Sequence, residues 1–143
     1  NKYLQDRELI RAALEARVRA YAPYSGYLVG AALLTASGTV FQGCNIENAS
    51  YGAANCAERT AFFKAVSQGE REFLAIAIVG GPSGGEPEDF CPPCGVCRQV
   101  MMEFCDPESF MIYLGKADGE IREYRLKELL PLGFSGKGVE RKE

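Results

Sequence analysis

Hydrophobic residues near the start of the chain repeat first at helical and then at strand-like intervals. Within residues 6–21 they recur every three or four positions, with arginine and glutamate between them, which predicts an amphipathic helix capped by Asp6 and ended before Pro23. The helical positions are Ile10, Leu14, Val18 and Tyr21. Residues 28–35 and 39–44 are then apolar runs on either side of a Ser-Gly turn, so we expect a β-hairpin.

The rest of the chain alternates between helical and strand-like segments. Residues 45–55 are rich in Asn, Ser and Gly and predict a loop, and 56–67 predict a helix that ends at Gly69. The continuous apolar run at 74–79 is typical of a strand buried on both faces. Glycines and prolines throughout 80–93 predict a second loop. The remaining predicted elements are a helix at 95–104, strands at 110–114 and 121–124, and a short helix at 126–130.

This order of elements favours the α/β class. Because strands and helices alternate around the central 74–79 strand, we expect a three-layer α/β/α sandwich around a mixed five-stranded sheet. The length of 143 residues fits a single domain over 1–143, and the 47% of apolar residues is enough to bury a core.

Charge and hydropathy exclude several classes of partner. The net charge is −3 and the basic residues form no cluster, which argues against nucleic acid and favours a small neutral or cationic substrate. No apolar run approaches the roughly 20 residues that span a bilayer. No basic segment followed by an apolar stretch opens the chain, so we expect a cytoplasmic protein without a membrane partner.

Cysteine and histidine usage narrows the possible chemistry. Six cysteines in a chain of cytosolic character indicate a metal site or reactive thiols before disulfides. Histidine is absent, which excludes a Ser-His-Asp triad, a Cys-His dyad and any histidine-ligated metal. Any transition metal must therefore be held mainly by thiolates.

Two cysteine motifs lie where predicted loops meet predicted helices. Cys94 and Cys97 form a Cys-x-x-Cys pair that alone is compatible with half of a zinc site, with a redox dithiol or with chance. Cys56 and Glu58 begin the preceding helix. If all three sulfurs converge on one Zn²⁺, the fourth position stays open to water, as in catalytic sites, with Glu58 beside it for proton transfer. A structural zinc site instead needs a fourth ligand, for which Cys91 competes ahead of Cys44 and Cys105.

The combined pattern resembles a known family. Cys-Ala-Glu followed by Pro-Cys-x-x-Cys is the motif of zinc deaminases, and the chain is more narrowly similar to homotetrameric cytidine deaminases. The matching stretches are YAPYSGYLVGAALL (21–34), GCNIENASYG (43–52), CAERTAFFKAV (56–66), PCGVCRQVM (93–101) and ELLPLGF (128–134). They keep their order and cover most of the chain.

The resemblance implies roles for individual residues. It assigns the zinc ligands to Cys56, Cys94 and Cys97, and it makes Glu58 the general acid and base. Arg59 matches an arginine that hydrogen-bonds ligand thiolates. The residues implied in substrate binding are Asn45 and Glu47 at the ribose hydroxyls, Tyr27 near the pyrimidine in place of a more usual Phe, and Tyr51 and Phe134 across subunit boundaries.

The implied activity is hydrolytic deamination of cytidine and deoxycytidine to uridine and deoxyuridine, with release of ammonia, in pyrimidine salvage. One alternative is a deaminase of another aminopyrimidine nucleoside such as blasticidin S. Another is a non-catalytic zinc-binding module with four protein thiolates. The resemblance also implies a homotetramer. The loop at 80–92, which looks longer than usual and contains Cys91, has no role in this interpretation.

Overall fold

Four helices surround a single sheet in the computed structural model, which describes residues 2–137, 139–140 and 142, with side chains from Gln5 onward. The helices are α1 (Lys2–Arg17), α2 (Ala57–Ser67), α3 (Gly95–Phe104) and α4 (Leu126–Leu129), with a 3₁₀ turn at Tyr51–Ala53. The strands are β1 (Tyr27–Thr35), β2 (Val40–Cys44), β3 (Phe73–Pro82), β4 (Met111–Gly115) and β5 (Ile121–Arg125).

The sheet is mixed and its strands lie in the order β2-β1-β3-β4-β5. β1 runs antiparallel to β2 and β3, and β4 runs antiparallel to β5. β3 and β4 are parallel, and α3 lies in the crossover that a parallel pair requires. The prediction of a mixed five-stranded sheet is therefore confirmed.

The two faces of the sheet bury different helices, which gives the predicted three layers. Alternate residues of β3 point to opposite faces because side chains alternate along a strand. Ala75, Ala77 and Val79 belong to the cluster that α1 covers, whereas Ile76 and Ile78 belong to the cluster formed with α2 and α3. The 74–79 run is thus buried on both faces except for the exposed Leu74 at its start.

Glycines let one helix on each face lie directly against the sheet. A Cβ at Gly30 of β1 would collide with the backbone oxygen of Ala13 in α1 and lie 2.6 Å from the amide nitrogen of Arg17. A Cβ at Gly43 of β2 would lie 2.5 Å from the amide nitrogen of Ala61 in α2. The position of α2, and of the residues at its start, therefore depends on Gly43.

Some predicted boundaries are wrong in an informative way. α1 begins and ends four residues earlier than expected, so Asp6 lies inside the helix instead of capping it. Val18 and Tyr21 continue the apolar spacing but lie beyond the helix and are exposed. β3 extends to Pro82, since β1 pairs with the Gly-Gly-Pro segment that the sequence predicts as loop. Within the described residues, every helix falls short of the length and apolarity needed to cross a bilayer.

Candidate active site

The three cysteines singled out by their motifs lie at the starts of two helices. Cys56 is the N-cap residue of α2 and Cys94 is the N-cap residue of α3, and both have extended backbone conformations. Cys97 lies in the first turn of α3, where it is fully buried. Free amide N–H groups and the positive end of each helix dipole favour negative charge at these positions, so the local structure favours thiolates.

The sulfur atoms of these cysteines form a compact triangle. All three lie within 4.8 Å of one another, and the Sγ atoms of Cys56 and Cys94 are 3.8 Å apart. Zinc–sulfur bonds of about 2.3 Å in a tetrahedral site separate two sulfurs by about 3.8 Å, so the triangle fits Zn²⁺. Across the part of the chain that the structure describes, no other group of three potential ligands comes together, and Cys91 is outside this one.

Charge is distributed unevenly over the thiols. A hydrogen bond from Cys97 lowers the pKa of Cys56 to about 5, and the same bond raises the pKa of Cys97. Nη2 of Arg59 donates to Sγ of Cys56 at 3.1 Å. Partial burial lowers the pKa of the Arg59 guanidinium, but its hydrogen bonds to both sulfurs outweigh this and raise it. The cation therefore offsets part of the negative charge of the cluster.

Glu58 is buried in the interior and also reaches the pocket beside the three sulfurs. It is the second residue of α2 and only 4% exposed, although it lines the pocket above the cluster. Burial raises the pKa of its carboxyl to about 7. A carboxyl with a pKa near neutrality is suited to accept a proton and return it.

A pocket of about 460 Å³ connects the cysteine cluster to the loop between β2 and α2. Its wall includes most of the residues that the sequence singled out, namely Cys56, Glu58, Arg59, Cys94, Tyr27, Asn45, Glu47 and Tyr51. Cys97 lies beneath it in the sulfur triangle. The candidate residues thus come together from β1, the β2–α2 loop and the starts of α2 and α3.

The end of the pocket away from the sulfurs is ordered by side-chain to backbone hydrogen bonds. Glu47 accepts from the backbone N–H groups of Tyr24 and Ser25, at 2.9 and 3.1 Å, and from the Ser25 hydroxyl. The Ser25 hydroxyl and these amides lower the pKa of Glu47, so the residue is a carboxylate. Sequence reasoning missed Ser25, because its role depends on a loop contact 22 residues away.

Asn45 is fixed to β1 by both ends of its amide. Its Oδ1 accepts from the Val29 N–H at 2.8 Å, and its Nδ2 donates to the Tyr27 carbonyl at 2.8 Å. Each amide oxygen has a second lone pair and each amide nitrogen a second hydrogen, so Asn45 keeps capacity for a ligand. The rigid amide and the carboxylate of Glu47 together provide an acceptor and a donor for a diol.

Two aromatic residues that the sequence placed at the site differ in position. Tyr51 is 83% exposed and contributes to the pocket wall of its own chain. Phe134 is 76% exposed and lies outside the set of pocket-lining residues, while its carbonyl accepts from Gln99 at 2.9 Å. A lone chain therefore brings Tyr51 to the site and leaves the Phe134 ring in contact with solvent.

Comparison with known proteins agrees with this geometry. Residues 4–113 match the family model of the cytidine and deoxycytidylate deaminase zinc-binding region. The chain belongs to this deaminase family. The zinc-binding character of the matched region and the three-sulfur triangle both identify Zn²⁺ as the cofactor.

Individual members of the family cover nearly the whole chain. A cytidine deaminase from Halalkalibacterium halodurans is 52% identical over 92% of this chain and 95% of its own length. A crystal structure of cytidine deaminase from Burkholderia pseudomallei, 51% identical, superposes with a TM-score of 0.80 over 90% of this chain and 98% of that one. A blasticidin-S deaminase from Bacillus cereus is 30% identical over 92% of this chain and 93% of its own.

Proposed function

We propose that this protein is a zinc-dependent cytidine deaminase that converts cytidine and deoxycytidine to uridine and deoxyuridine with release of ammonia, and that it acts in pyrimidine salvage. The observation that carries the proposal is a buried carboxyl, Glu58, next to a triangle of three sulfurs that leaves one tetrahedral position open. Cytidine deaminases at 52% and 51% identity support this substrate over blasticidin S, whose deaminase is 30% identical.

In this proposal the sulfurs of Cys56, Cys94 and Cys97 hold the metal. A bound zinc ion would act as a Lewis acid and lower the pKa of a water molecule at the site. Arg59 stabilises the site by donating to Cys56, since three thiolates and a divalent cation leave a net negative charge. A fourth protein thiolate has no support in the described structure, because Cys91 does not join the triangle.

Glu58 moves the protons of the reaction. Its carboxylate takes a proton from the attacking water and delivers it to N3 of the pyrimidine while the oxygen bonds to C4. It then carries a proton from that oxygen to the amino group on C4. The C4–N bond breaks, ammonia leaves and the uracil ring remains, so one carboxyl serves as base and then as acid.

The sugar lies at the opposite end of the pocket. Asn45 and Glu47 bind the ribose hydroxyls, which suits an amide already fixed to β1 and a carboxylate already ordered by the Tyr24–Ser25 backbone. Tyr27, which also lines the pocket, packs beside the pyrimidine ring in this proposal. Because the polar groups are ordered before the ligand arrives, little conformational entropy is lost on binding.

We also propose that residues 1–143 form one deaminase domain that assembles as a homotetramer in the cytoplasm. The exposed rings of Tyr51 and Phe134 are large apolar surfaces that a neighbouring subunit can cover, with Phe134 completing the pocket of another chain. None of the six cysteines, all of which the structure describes, is part of a disulfide, which suits a reducing compartment.

The test is a cytidine assay by loss of ultraviolet absorbance, combined with metal analysis of the same sample. We expect about one zinc per chain and turnover of cytidine and deoxycytidine well above that of blasticidin S. Faster turnover of blasticidin S would move the substrate assignment to the second compound. Four sulfur ligands by X-ray absorption, with no ammonia released from any of these compounds, would identify a structural zinc module instead.

A further inference from the structure

At the start of α2, the peptide groups on both sides of Cys56 are held mainly by the backbone. The Asn55 carbonyl accepts from the Ile46 N–H, and the Asn55 N–H donates to the Ile46 carbonyl, both at 2.9 Å. The Cys56 carbonyl accepts from the backbone N–H and the hydroxyl of Thr60, at 3.0 and 3.1 Å. Because both peptide planes are fixed, the direction in which the Cys56 side chain leaves the backbone is fixed as well.

At the start of α3, a single residue, Arg98, holds both peptide groups beside Cys94. Its backbone N–H donates to the Cys94 carbonyl at 3.0 Å, as in any first helical turn. Its side chain turns back along the chain, and Nε donates to the Pro93 carbonyl at 2.8 Å. Pro93 is buried at the end of an irregular segment, where a carbonyl needs a donor. The donor that α2 obtains from backbone pairing is supplied here by a guanidinium.

The other end of this guanidinium is attached to α4. Nη1 of Arg98 donates to the Leu129 carbonyl at 2.6 Å, at the end of that helix, where carbonyls lack partners within the helix. α4 is fixed to the body of the protein, since the Leu126 N–H donates to the Phe110 carbonyl at 3.0 Å and the Leu126 side chain is fully buried. Arg98 therefore joins the peptide before Cys94 to an element that is anchored in the core.

We infer that Arg98 is a positioning residue for the reaction: by holding both peptide groups of Cys94 against α4, it sets the place of the Cys94 sulfur in the metal-binding triangle. The inference rests on the proposed function, in which Cys94 is a zinc ligand. Cys97 is fully buried and is held by its neighbours, whereas Cys94 is exposed, so its position depends on the backbone. Groups that orient a metal ligand change metal affinity or activity by about 10- to 100-fold when they are removed.

The shape of the guanidinium separates this role from a role of charge alone. Nε and Nη1 of Arg98 are part of one rigid plane, so the side chain reaches the two carbonyls at the same time. Lysine carries the same charge but ends in a single nitrogen on a flexible stem. Arg98→Lys therefore keeps the charge and loses the bridge between the loop and α4.

The test compares zinc release to a chelator with cytidine kinetics in the same variants. Arg98→Met keeps most of the side-chain length but removes the donors, so we expect zinc release to accelerate at least tenfold and kcat of the zinc-loaded enzyme to fall about tenfold. KM should stay within about threefold, because Asn45 and Glu47 bind the sugar from the β2–α2 loop. Arg98→Lys should release zinc at least about fivefold faster than the wild type, since one nitrogen cannot replace the bridge.

Arg71→Met is the matched control. Nη1 of Arg71 also donates to two carbonyls, those of Val66 and Glu70, both at 2.8 Å, but at the end of α2 remote from Cys56. The variant loses bonds of the same kind without affecting the peptide groups of Cys94. Its zinc release and kcat should therefore stay within about twofold of the wild type.

Cobalt in place of zinc gives a readout that does not depend on turnover. The visible and near-ultraviolet bands of Co²⁺ bound by thiolates report the number and geometry of its sulfur ligands. We expect the wild type and Arg71→Met to give the same spectrum, and Arg98→Met to give shifted and weaker thiolate bands. The unfolding midpoint of each variant is measured in parallel, and Arg98→Lys carries the test if Arg98→Met does not fold.

Two results would overturn the inference. One is a fall in the midpoint of Arg98→Met with zinc release and a cobalt spectrum like those of Arg71→Met, and the other is Arg98→Lys releasing zinc at the wild-type rate. Either result in an enzyme that deaminates cytidine removes this inference alone. A zinc-loaded wild type that releases no ammonia removes the proposed function and the role in the reaction, while zinc release and the cobalt spectra still decide whether Arg98 positions Cys94.

Discussion

The two faces of the sheet are formed by the same strands but differ in the helices that cover them and in their relation to the pocket. The face under α1 is covered by an alanine-rich cluster, and its largest polar side chain, Tyr113, has a phenol whose pKa is raised by burial. The other face buries the sides of α2 and α3 but leaves their first turns at the pocket. Covering a sheet with the side of a helix stabilises the fold, whereas directing helix starts at an opening creates a site for thiolates.

The order of the elements along the chain explains why the candidate catalytic residues lie on one face of the sheet. α3 is the next element after β3, and the loop that joins them leaves from the carboxyl end of that strand, where Pro82 pairs with Tyr27 at the beginning of β1. α2 starts at the same edge, after the loop that carries Glu47. α1 instead ends near this edge, where the side chain of Arg17 donates to the Gly81 carbonyl.

The largest separation of activity from stability is expected at Glu58. Glu58→Gln keeps the volume of the side chain but cannot transfer a proton, so we expect kcat for cytidine to fall by about 10³-fold. Zinc content and unfolding midpoint should not fall, because the substitution removes a buried ionisable group without opening a cavity. Steady-state kinetics, metal analysis and thermal unfolding of the same preparation check this.

Glu103→Gln is the matched control, since Glu103 is an exposed glutamate on α3 outside the active-site pocket. It should leave kcat within about twofold. Ammonia release by Glu58→Gln at a rate near that of this control would exclude Glu58 from proton transfer, even if zinc is fully bound.

The sequence predicts the site-bearing face better than the connections between elements. Cys56, Glu58, Cys94 and Cys97 are recognisable because motifs mark helix starts, and helix starts are defined by local sequence. Tyr27 and Cys91 are 64 positions apart, yet both approach Gly80, where a Cβ would lie 3.0 Å from Cε2 of Tyr27 and 2.8 Å from Sγ of Cys91, so no local pattern reveals their proximity. The same holds for β3, which extends through glycines because β1 supplies a partner there.

The end of α1 shows a second limit of prediction from sequence. The spacing of Val18 and Tyr21 continues the helical pattern, yet the helix ends at Arg17. Arg17 donates to the Leu28 carbonyl as well as to the loop, and these tertiary hydrogen bonds fix the place where the chain turns away. Hydrophobic periodicity indicates which residues prefer burial, so it cannot predict a hydrogen bond between distant parts of the chain.

A matched pair of glycine substitutions tests the difference between the faces directly. Gly43→Ala and Gly30→Ala each add one methyl group between a strand and a helix, and each should lower the free energy of unfolding by about 1–3 kcal/mol. Gly43→Ala displaces α2, whose first turn carries Cys56 and Glu58, so kcat/KM should also fall at least tenfold. Gly30→Ala displaces α1 and should keep kcat/KM within about twofold.

Denaturant unfolding gives the stabilities, and cytidine kinetics at a temperature well below both midpoints gives the activities. The comparison fails if the two variants lose activity to the same extent at equal stability. In that case the sheet transmits strain across both faces, and the separation of stability from chemistry does not describe this protein.

The smallest effect on activity is expected at Arg17, whose side chain joins the end of α1 to the adjacent ends of β1 and β3. It is 9% exposed and donates to the carbonyls of Leu28 in β1, Gly81 in β3 and Gly85 in the loop after β3. Arg17→Met keeps most of the buried stem but removes every donor, so we expect a loss of about 2–3 kcal/mol in unfolding free energy. KM should rise only about threefold, because the carbonyls that Arg17 contacts belong to residues outside the cysteine triangle.

Arg19→Met is the control for losing a positive charge in the same region, since the Arg19 side chain donates to Oε1 of Gln42 at 3.0 Å in an exposed hydrogen bond. Its stability should change by less than about 0.5 kcal/mol. A loss of zinc or a large fall in kcat in Arg17→Met would show that the α1 face supports the metal cluster itself. A KM change confined to Arg17→Met would instead place its influence in the loop after β3, whose Gly85 carbonyl it contacts.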